Sequence, residues 1–275
     1  MQTNRTLRWI VLFVLAVLWV LPVASLVLFS FAPSSEILKD QLIPSNWTLD
    51  NYWKVLTDAG QGVSIPQAML NSFVIMLAQV AGILLLDIPA AYAFGRLRWP
   101  GRDLVFFIVL ITMMMPGILE VLSLYDLMAN LGLVDTVTAV ILPGLPRVVG
   151  IFILRQFFRE LPREMEEAAR MDGATEFQTF RTIMMPLAAP AITTVTVLTA
   201  LYSWNNFLWP LIITNSPASM TVPVAVAYLS AADAGIINYT VILAAAFFTS
   251  LPMILLFLFG QRWIISGMRP TSGIK

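Results

Sequence analysis

The sequence contains no cysteine and no histidine, which excludes disulfides, thiolate nucleophiles and histidine metal ligands. Its only lysines are Lys39, Lys54 and Lys275, preceded by leucine, tryptophan and isoleucine, so a Gly-Lys-Ser/Thr phosphate-binding loop is absent. If ATP is used, another chain must bind it. We therefore expect no catalytic residue, no metal site and no cofactor in this chain.

Charged residues are also scarce, at 12% of the chain, whereas hydrophobic residues make up 59% of its 275 residues. This composition is too apolar for a soluble domain of that length and indicates an integral membrane protein. Each of six apolar segments is long enough to cross about 30 Å of hydrocarbon at about 1.5 Å per residue. We expect an all-α membrane protein with six transmembrane helices, near residues 9–31, 69–94, 104–126, 137–158, 187–213 and 237–265.

The expected organisation is a single transmembrane domain over residues 1–275. The apolar run at 9–31 exceeds the 7 to 15 residues of a cleavable signal peptide, so we interpret it as a retained anchor helix. An outer loop at 32–66 precedes a core bundle at 69–265, and a cytoplasmic tail covers 266–275.

Basic residues predict the orientation. Thirteen of the sixteen lie in the N-terminal tail, the second-to-third loop, the fourth-to-fifth connection or the C-terminal end. By the positive-inside rule these segments are cytoplasmic, and so are both termini. The opposite loops hold Lys39 and Lys54 together with six acidic residues, which are Glu36, Asp40, Asp50, Asp58, Asp135 and Asp233.

The polar connection at 161–186 has the pattern of two short helices joined by a turn. Pro162 suits a first helical position, and Gly173 suits the left-handed residue that ends a helix. Thr175 and Gln178 have the spacing of a capping box that opens a second helix. This segment is predicted to lie in water beside the membrane.

One face of the first short helix is small and nearly flat. Met165, Ala168, Ala169 and Asp172 share it at helical spacing. Small side chains allow the close approach of another surface, which favours a docking role. A solvated amphipathic segment lying on lipid headgroups is the alternative that the pattern leaves open.

The same segment resembles the EAA loop of ABC importer permeases, membrane subunits that work with an extracytoplasmic binding protein. The matching residues are Glu167, Ala168, Ala169, Gly173, Ile183 and Pro186, with Met185 where the family usually has leucine. The resemblance implies a cytoplasmic coupling helix between transmembrane helices 4 and 5. The residues implied to couple to the ATPase are Glu167, Ala168, Ala169, Arg170, Asp172 and Gly173.

Other stretches are similar to carbohydrate-uptake members, particularly the maltose-importer type of second permease subunit. They are residues 90–101, 131–136, 204–210 and 267–273, although Arg269 and Pro270 depart from the family's usual tail. The resemblance implies binding-protein-dependent import in a bacterial or archaeal cytoplasmic (inner) membrane. The implied partners are a second permease subunit in a heterodimer, an ATPase dimer that binds ATP and Mg, a solute-binding protein and membrane lipid, without nucleic acid.

Asp87, Glu120 and Arg147 fall within or beside the predicted spans, where an ionisable group costs about 2.5 to 3.5 kcal/mol unless it is paired or faces water. Pro143 and Pro146 flank Arg147 and indicate an irregular, cavity-lining helix. Arg147 either faces the translocation path and binds substrate, or forms an ion pair with Asp87 or Glu120. The pattern leaves both open.

The neighbouring Trp204, Asn205 and Asn206 suit a sugar, since amides bind hydroxyls and an aromatic face stacks on C–H groups. Adjacent helical residues point about 100° apart, so we expect one amide to face the path. The alternative is an amide that bonds a neighbouring helix.

The predicted function is inward movement of a sugar or sugar-like solute by alternating access, driven by a separate ATPase. A phosphorylated polyol is an alternative cargo, because Arg147 could meet an anion. An ion-coupled secondary transporter would use Asp87, Glu120 and Arg147 as a relay but leaves the docking segment unexplained. A membrane enzyme is disfavoured because no catalytic constellation is evident.

Overall fold

The computed structural model describes residues 5–37, 43–60, 62–231 and 238–267, and for residues 5, 6 and 262–267 it describes the backbone alone. Every regular element in these ranges is a helix, which confirms the all-α prediction. The helices are α1 (Arg5–Ser30), α2 (Asp50–Thr57), α3 (Ile65–Gly95), α4 (Arg102–Thr112), α5 (Gly117–Asn130), α6 (Val137–Glu160), α7 (Glu164–Met171), α8 (Glu176–Leu187), α9 (Ala189–Asn205), α10 (Leu208–Ile213), α11 (Val222–Ser230) and α12 (Tyr239–Gly267). Three residues assigned to the outer loops lie outside the described residues, namely Lys39, Asp40 and Asp233. So does the part of the predicted tail beyond residue 267.

Four helices are long and apolar enough to cross a membrane: α1, α3, α6 and α12. Two further pairs reach that length together, α4 with α5 and α8 with α9, but they bend by 94° and 74°. The described residues therefore hold four to six candidate spans, consistent with a multi-pass membrane protein.

Prolines account for two interruptions in the predicted spans. The predicted third span, 104–126, is divided at Pro116, which has an extended backbone immediately before α5. The predicted fifth span, 187–213, is divided after Asn205, where Pro210 has no N–H to donate to the residue four positions earlier. A hydropathy window detects the apolar run but not these breaks.

The chain divides into two compact units, Met1–Leu70 with Thr221–Pro252 and Asn71–Met220 with Met253–Lys275. In the first unit, Asn51 on α2 donates hydrogen bonds to the carbonyl oxygens of Ser30 and Ala32 at 2.9 and 2.8 Å. Thr240 donates to Asn51 Oδ1 at 3.0 Å. This buried amide joins α2, which lies in the predicted outer loop, to the end of α1.

The second unit is organised around the contact of α3 with α6. Its apolar core includes Ile83 and Ile88 from α3 and Leu154 and Phe158 from α6, all fully buried. The approach is close because Gly82 lacks a side chain: a Cβ there would lie 2.7 Å from the carbonyl oxygen of Leu145. This contact brings the polar residues of the two helices together.

Candidate functional site

The helix α6 is broken where the sequence predicts irregularity. An α-helical turn, Val137–Ile141, is followed by a 3-10 turn, Leu142–Gly144, and the α-helix resumes at Val148–Glu160. Pro143 and Pro146 remove backbone donors from this region. Arg147 is extended, with φ −121° and ψ 107°, immediately before the second half. The predicted irregular helix is confirmed.

The side chain of Asp87 accepts a hydrogen bond from the backbone at the start of that second half. It ends a π-helical turn in α3, Ile83–Asp87, and is fully buried. Its two carboxylate oxygens accept the backbone N–H of Arg147 at 3.2 and 3.3 Å. A carboxylate at a helix N-terminus is stabilised by the unpaired N–H groups and the helix dipole. Asp87 thus caps a helix to which it does not belong.

The guanidinium of Arg147 takes a different course. Its Cζ lies 3.6 Å from the centroid of the Tyr202 ring on α9, within the range of a cation–π contact. Its Nη1 is buried and has no hydrogen-bond partner in the described part of the chain. Among the described residues, neither Asp87 nor Glu120 lies within ion-pair distance of this guanidinium. Of the two alternatives left open for Arg147, the side-chain ion pair is not formed among the described residues; Asp87 instead accepts the backbone N–H, and the guanidinium contacts an aromatic ring.

A cavity of about 310 Å³ lies beside this break. Its polar lining residues are Gln79, Glu120 and Asn206, and its aromatic ones are Tyr202 and Trp209. Glu120 is exposed and Asn206 is half-buried. Asn206 has left the helix, with φ −66° and ψ 121°. The broken helices thus gather amide, carboxylate and aromatic groups around one space.

The other two predicted path residues lie elsewhere. Trp204 is buried and makes an edge-on contact with Phe73 at 5.4 Å between ring centroids. Asn205 donates to the carbonyl oxygen of Leu201 in its own helix at 2.8 Å. Neither residue lines the cavity, so Asn206 is the amide of this pair that faces it.

Three residues that line the cavity were not predicted as path residues from the sequence: Tyr202, Trp209 and Gln79. Tyr202 precedes Asn206 by four residues, and that spacing places both on one face of a continuous helix. This was a usable signal. Gln79 is a single polar residue in a long apolar run, and its meaning depends on what α6 places opposite it.

The connection at 161–186 has the predicted helix, turn and second helix. The helix α7 ends before Gly173, whose φ is +84°. Thr175 N–H donates to Gln178 Oε1 at 2.8 Å, and Gln178 N–H donates to Thr175 Oγ1 at 3.3 Å. The glycine stop and the capping box are both confirmed.

One side of α7 is fixed to the end of α3. Arg96 Nε donates to Glu166 Oε1 at 2.8 Å, and both side chains are buried. The same guanidinium donates to the carbonyl oxygens of Leu161 and Pro162 at 3.0 and 3.3 Å. Ala169 is buried as well. The predicted flat face is therefore corrected: Ala169 lies against the protein, while Ala168 is exposed.

The other side of α7 is open. The exposed residues there and in the following turn are Glu167, Ala168, Arg170, Asp172 and Gly173. Arg170 pairs with Glu176 across the turn at 2.8 Å. Met171 is 88% exposed and Phe177 is 68% exposed. This surface combines small, apolar and charged groups on a rigidly held segment, and its two large apolar side chains were not singled out from the sequence.

Comparison with known proteins gives the family. Residues 87–270 match the family described as "Binding-protein-dependent transport system inner membrane component". The arabinooligosaccharide transport system permease protein AraQ of Halalkalibacterium halodurans is 36% identical over 100% of this chain and 99% of its own length. The trehalose transport system permease protein SugB of Mycobacterium tuberculosis is also 36% identical, over 99% and 98%.

A more distant relative and a solved structure complete the comparison. The sn-glycerol-3-phosphate transport system permease protein UgpE of Agrobacterium fabrum is 29% identical over 99% of this chain and all of its own length. A bacterial ABC transporter involved in the import of alginate contains a chain with the same fold, with a TM-score of 0.84, 23% identity and coverage of 95% of this chain and 98% of that one. The present chain therefore belongs to the family of binding-protein-dependent transport inner-membrane components, and it is a multi-pass transport permease subunit rather than an enzyme.

Proposed function

We propose that this chain is one of two transmembrane subunits of an ATP-driven importer that moves a sugar inward by alternating access. The permease relatives named for arabinooligosaccharides and trehalose support this substrate class. So does a cavity lined by amide and aromatic groups, which suit the hydroxyls and C–H faces of a sugar. In this proposal the chain crosses the membrane six times, with both termini in the cytoplasm.

The exposed side of α7 is the proposed coupling surface. The observation that carries this role is the contrast between its two sides: Arg96 and Glu166 hold the inner side in a buried ion pair, while Ala168 and Met171 are exposed. A rigidly anchored helix transmits a displacement to the span it is attached to. Glu167, Arg170 and Asp172 add charges that orient a partner surface.

The partner on that surface is an ATPase subunit. This sequence has no Gly-Lys-Ser/Thr phosphate loop, so ATP and Mg are bound by that separate chain. The ATPase is a dimer, and a second, different permease subunit pairs with this one. A solute-binding protein delivers the sugar from outside, as the family's description implies.

A phosphorylated polyol is the second candidate cargo, favoured by the relatives named for glycerol-3-phosphate transport. Arg147 is the one candidate cation for that anion among the predicted path residues, but its guanidinium lies over Tyr202. Ion-coupled secondary transport is less well supported, because the buried carboxylate of Asp87 is occupied as a helix cap.

Reconstitution into proteoliposomes tests the proposal. The chain is inserted alone, with the second permease subunit, and with that subunit, the ATPase and the binding protein. We expect sugar uptake only in the complete complex with ATP. Uptake by the chain alone, unaffected by removing ATP or by collapsing ion gradients, would overturn the importer assignment, and abolition by ionophores would identify ion coupling.

A further inference from the structure

We infer that the cavity lined by Gln79, Glu120, Asn206, Tyr202 and Trp209 binds one ring of a neutral saccharide within this subunit and disfavours phosphorylated solutes. This inference deepens the proposed sugar import and rests on it. Its basis is the chemistry of the lining groups: their carboxylate, amide and hydroxyl groups can hydrogen-bond the hydroxyls of a neutral sugar, and their aromatic rings can contact its C–H groups.

Gln79 is the first indication of a ligand. Its side chain is 2% exposed, and its amide nitrogen donates to the carbonyl oxygen of Val140 at 3.2 Å. A carbonyl partner requires the amide nitrogen on that side, so the amide oxygen is left as the free acceptor. That oxygen is buried and has no partner in the described part of the chain, and an unpaired buried acceptor destabilises the structure that contains it.

The surroundings keep Gln79 in place. A Cβ at Gly144 would lie 2.2 Å from the Gln79 amide nitrogen, so the absence of a side chain there makes room for it. An apolar residue would fill the same space without leaving an acceptor unpaired. A shift of the Gln79 side chain towards the cavity would let a sugar hydroxyl donate to this oxygen and satisfy it.

Glu120 is the one acidic group among the described lining residues of the cavity. Among the thirteen described lining residues there is this one carboxylate and neither lysine nor arginine. An ionised carboxylate only accepts hydrogen bonds, and its negative charge repels a phosphate. Arg147 contacts the Tyr202 ring but is not among the lining residues. The charge of the described lining therefore favours a neutral solute over an anion.

The aromatic groups supply the remaining contacts. Trp209 is held by a hydrogen bond from its indole nitrogen to the carbonyl oxygen of Ala139 at 3.0 Å, whereas Tyr202 is 54% exposed. One fixed ring and one accessible ring therefore lie beside the space that the C–H groups of a pyranose or furanose would occupy. The volume, about 310 Å³, lies at the low end of the range for small-molecule sites, which fits a single ring.

Site-directed labelling tests the inference in the complete complex, because the chain has no natural cysteine. Val121, a lining residue, is changed to cysteine, and its alkylation by a membrane-permeant maleimide is followed with trehalose, arabinobiose or sn-glycerol 3-phosphate present together with the binding protein. We expect protection by at least one neutral sugar and none by the phosphate ester. Protection by the phosphate ester, or by neither class, would overturn the inference.

Two variants connect protection to the named acceptors. In the Val121→Cys background, Glu120→Gln and Gln79→Met should each raise the sugar concentration needed for half-maximal protection about tenfold, equivalent to about 1.4 kcal/mol of binding free energy. Glu160→Gln, an exposed residue at the far end of α6, is the matched control and should leave it unchanged. Unaltered protection in both cavity variants would contradict the assignment. If the unmodified complex shows no ATP-driven sugar uptake, the proposed function is refuted instead. The two failures are therefore distinguishable.

Discussion

The carboxylate of Asp87 caps the second half of α6 through the backbone N–H of Arg147, with both oxygens within 3.3 Å of that nitrogen. A membrane offers no water to satisfy the first N–H groups of a helix that begins within it. A buried acidic residue on α3 therefore stabilises a break in α6. The break in turn places Arg147 and the cavity-lining residues where a continuous helix would not.

The cap predicts an order of stability among substitutions of Asp87. Asp87→Asn keeps an acceptor oxygen for the Arg147 N–H, whereas Asp87→Leu leaves that buried donor unpaired at a cost of about 1 to 3 kcal/mol. Thermal unfolding of the purified protein in detergent should therefore rank wild type and Asp87→Asn above Asp87→Leu. Equal melting temperatures for the asparagine and leucine variants would contradict the capping role.

The close approach of α3 to α6 predicts a strong effect from one methyl group. In Gly82→Ala the new Cβ would meet the Leu145 carbonyl oxygen at 2.7 Å, and overpacking of this kind costs about 1 to 3 kcal/mol. Gly260→Ala is the control, since its nearest neighbour would be a Val197 methyl at 3.5 Å, an ordinary contact. Chemical denaturation in mixed micelles should separate the two variants. A Gly82→Ala protein as stable as its control would mean that the helices are not held this closely.

The contact of Arg147 with Tyr202 predicts a difference between aromatic and aliphatic replacements. Tyr202→Phe keeps a ring face for the guanidinium, while Tyr202→Leu removes a cation–π contact of about 0.5 to 2 kcal/mol. We expect sugar uptake by the reconstituted complex to be close to normal in the phenylalanine variant and reduced several-fold in the leucine variant. Identical KM and maximal rate in the two variants would exclude a role for the ring face.

Asp135, in the loop between α5 and α6, is expected to make the stability of the folded protein depend on pH. Its backbone is left-handed, with φ +63°, and its carboxylate accepts the N–H groups of Asn215 and Ser216 at 2.7 and 2.9 Å and the Ser219 hydroxyl. Desolvation opposes ionisation, but these hydrogen bonds outweigh it and lower the pKa of Asp135 from 3.8 to about 2. Because the folded pKa lies below the unfolded one, the stabilisation is complete above about pH 4 and is lost as the pH falls towards 2.

Comparison of wild type with Asp135→Asn isolates that charge, since asparagine tolerates the left-handed backbone. After allowance for partial exposure, we expect a stability difference of about 1 to 2 kcal/mol at pH 5 to 6. Denaturation midpoints measured from pH 6 to pH 2 should converge as the pH falls. A difference independent of pH would show that the ionised carboxylate is not what joins the two loops.

Several elements followed from the sequence because local chemistry determines them. Gly173 and the Thr175–Gln178 capping box depend on residues within a few positions of one another, and they occur as predicted. The irregularity at Arg147 followed from its flanking prolines. These features need no knowledge of the neighbouring helices.

Other features depend on which helices meet. The burial of Ala169 follows from the ion pair between Arg96 and Glu166, residues 70 positions apart. The partner of Asp87 is a backbone N–H exposed only because α6 breaks, so a search for opposite side-chain charges could not find it. Gln79 gained its meaning from the cavity. Periodicity and charge patterns contain no information on these tertiary contacts.

The coupling surface on α7 is tested most directly by the number of ATP molecules hydrolysed per sugar transported in the complete reconstituted complex. Glu167→Lys reverses an exposed charge on that surface, and Gly173→Pro forbids the left-handed turn beside it; Glu160→Gln is the control. We predict that both variants insert and assemble normally, with uptake reduced ~10-fold or more relative to ATP hydrolysis, a loss of about 1.4 kcal/mol of coupling. Normal ATP-driven uptake at the wild-type ratio in both variants would contradict the proposed coupling role of this surface.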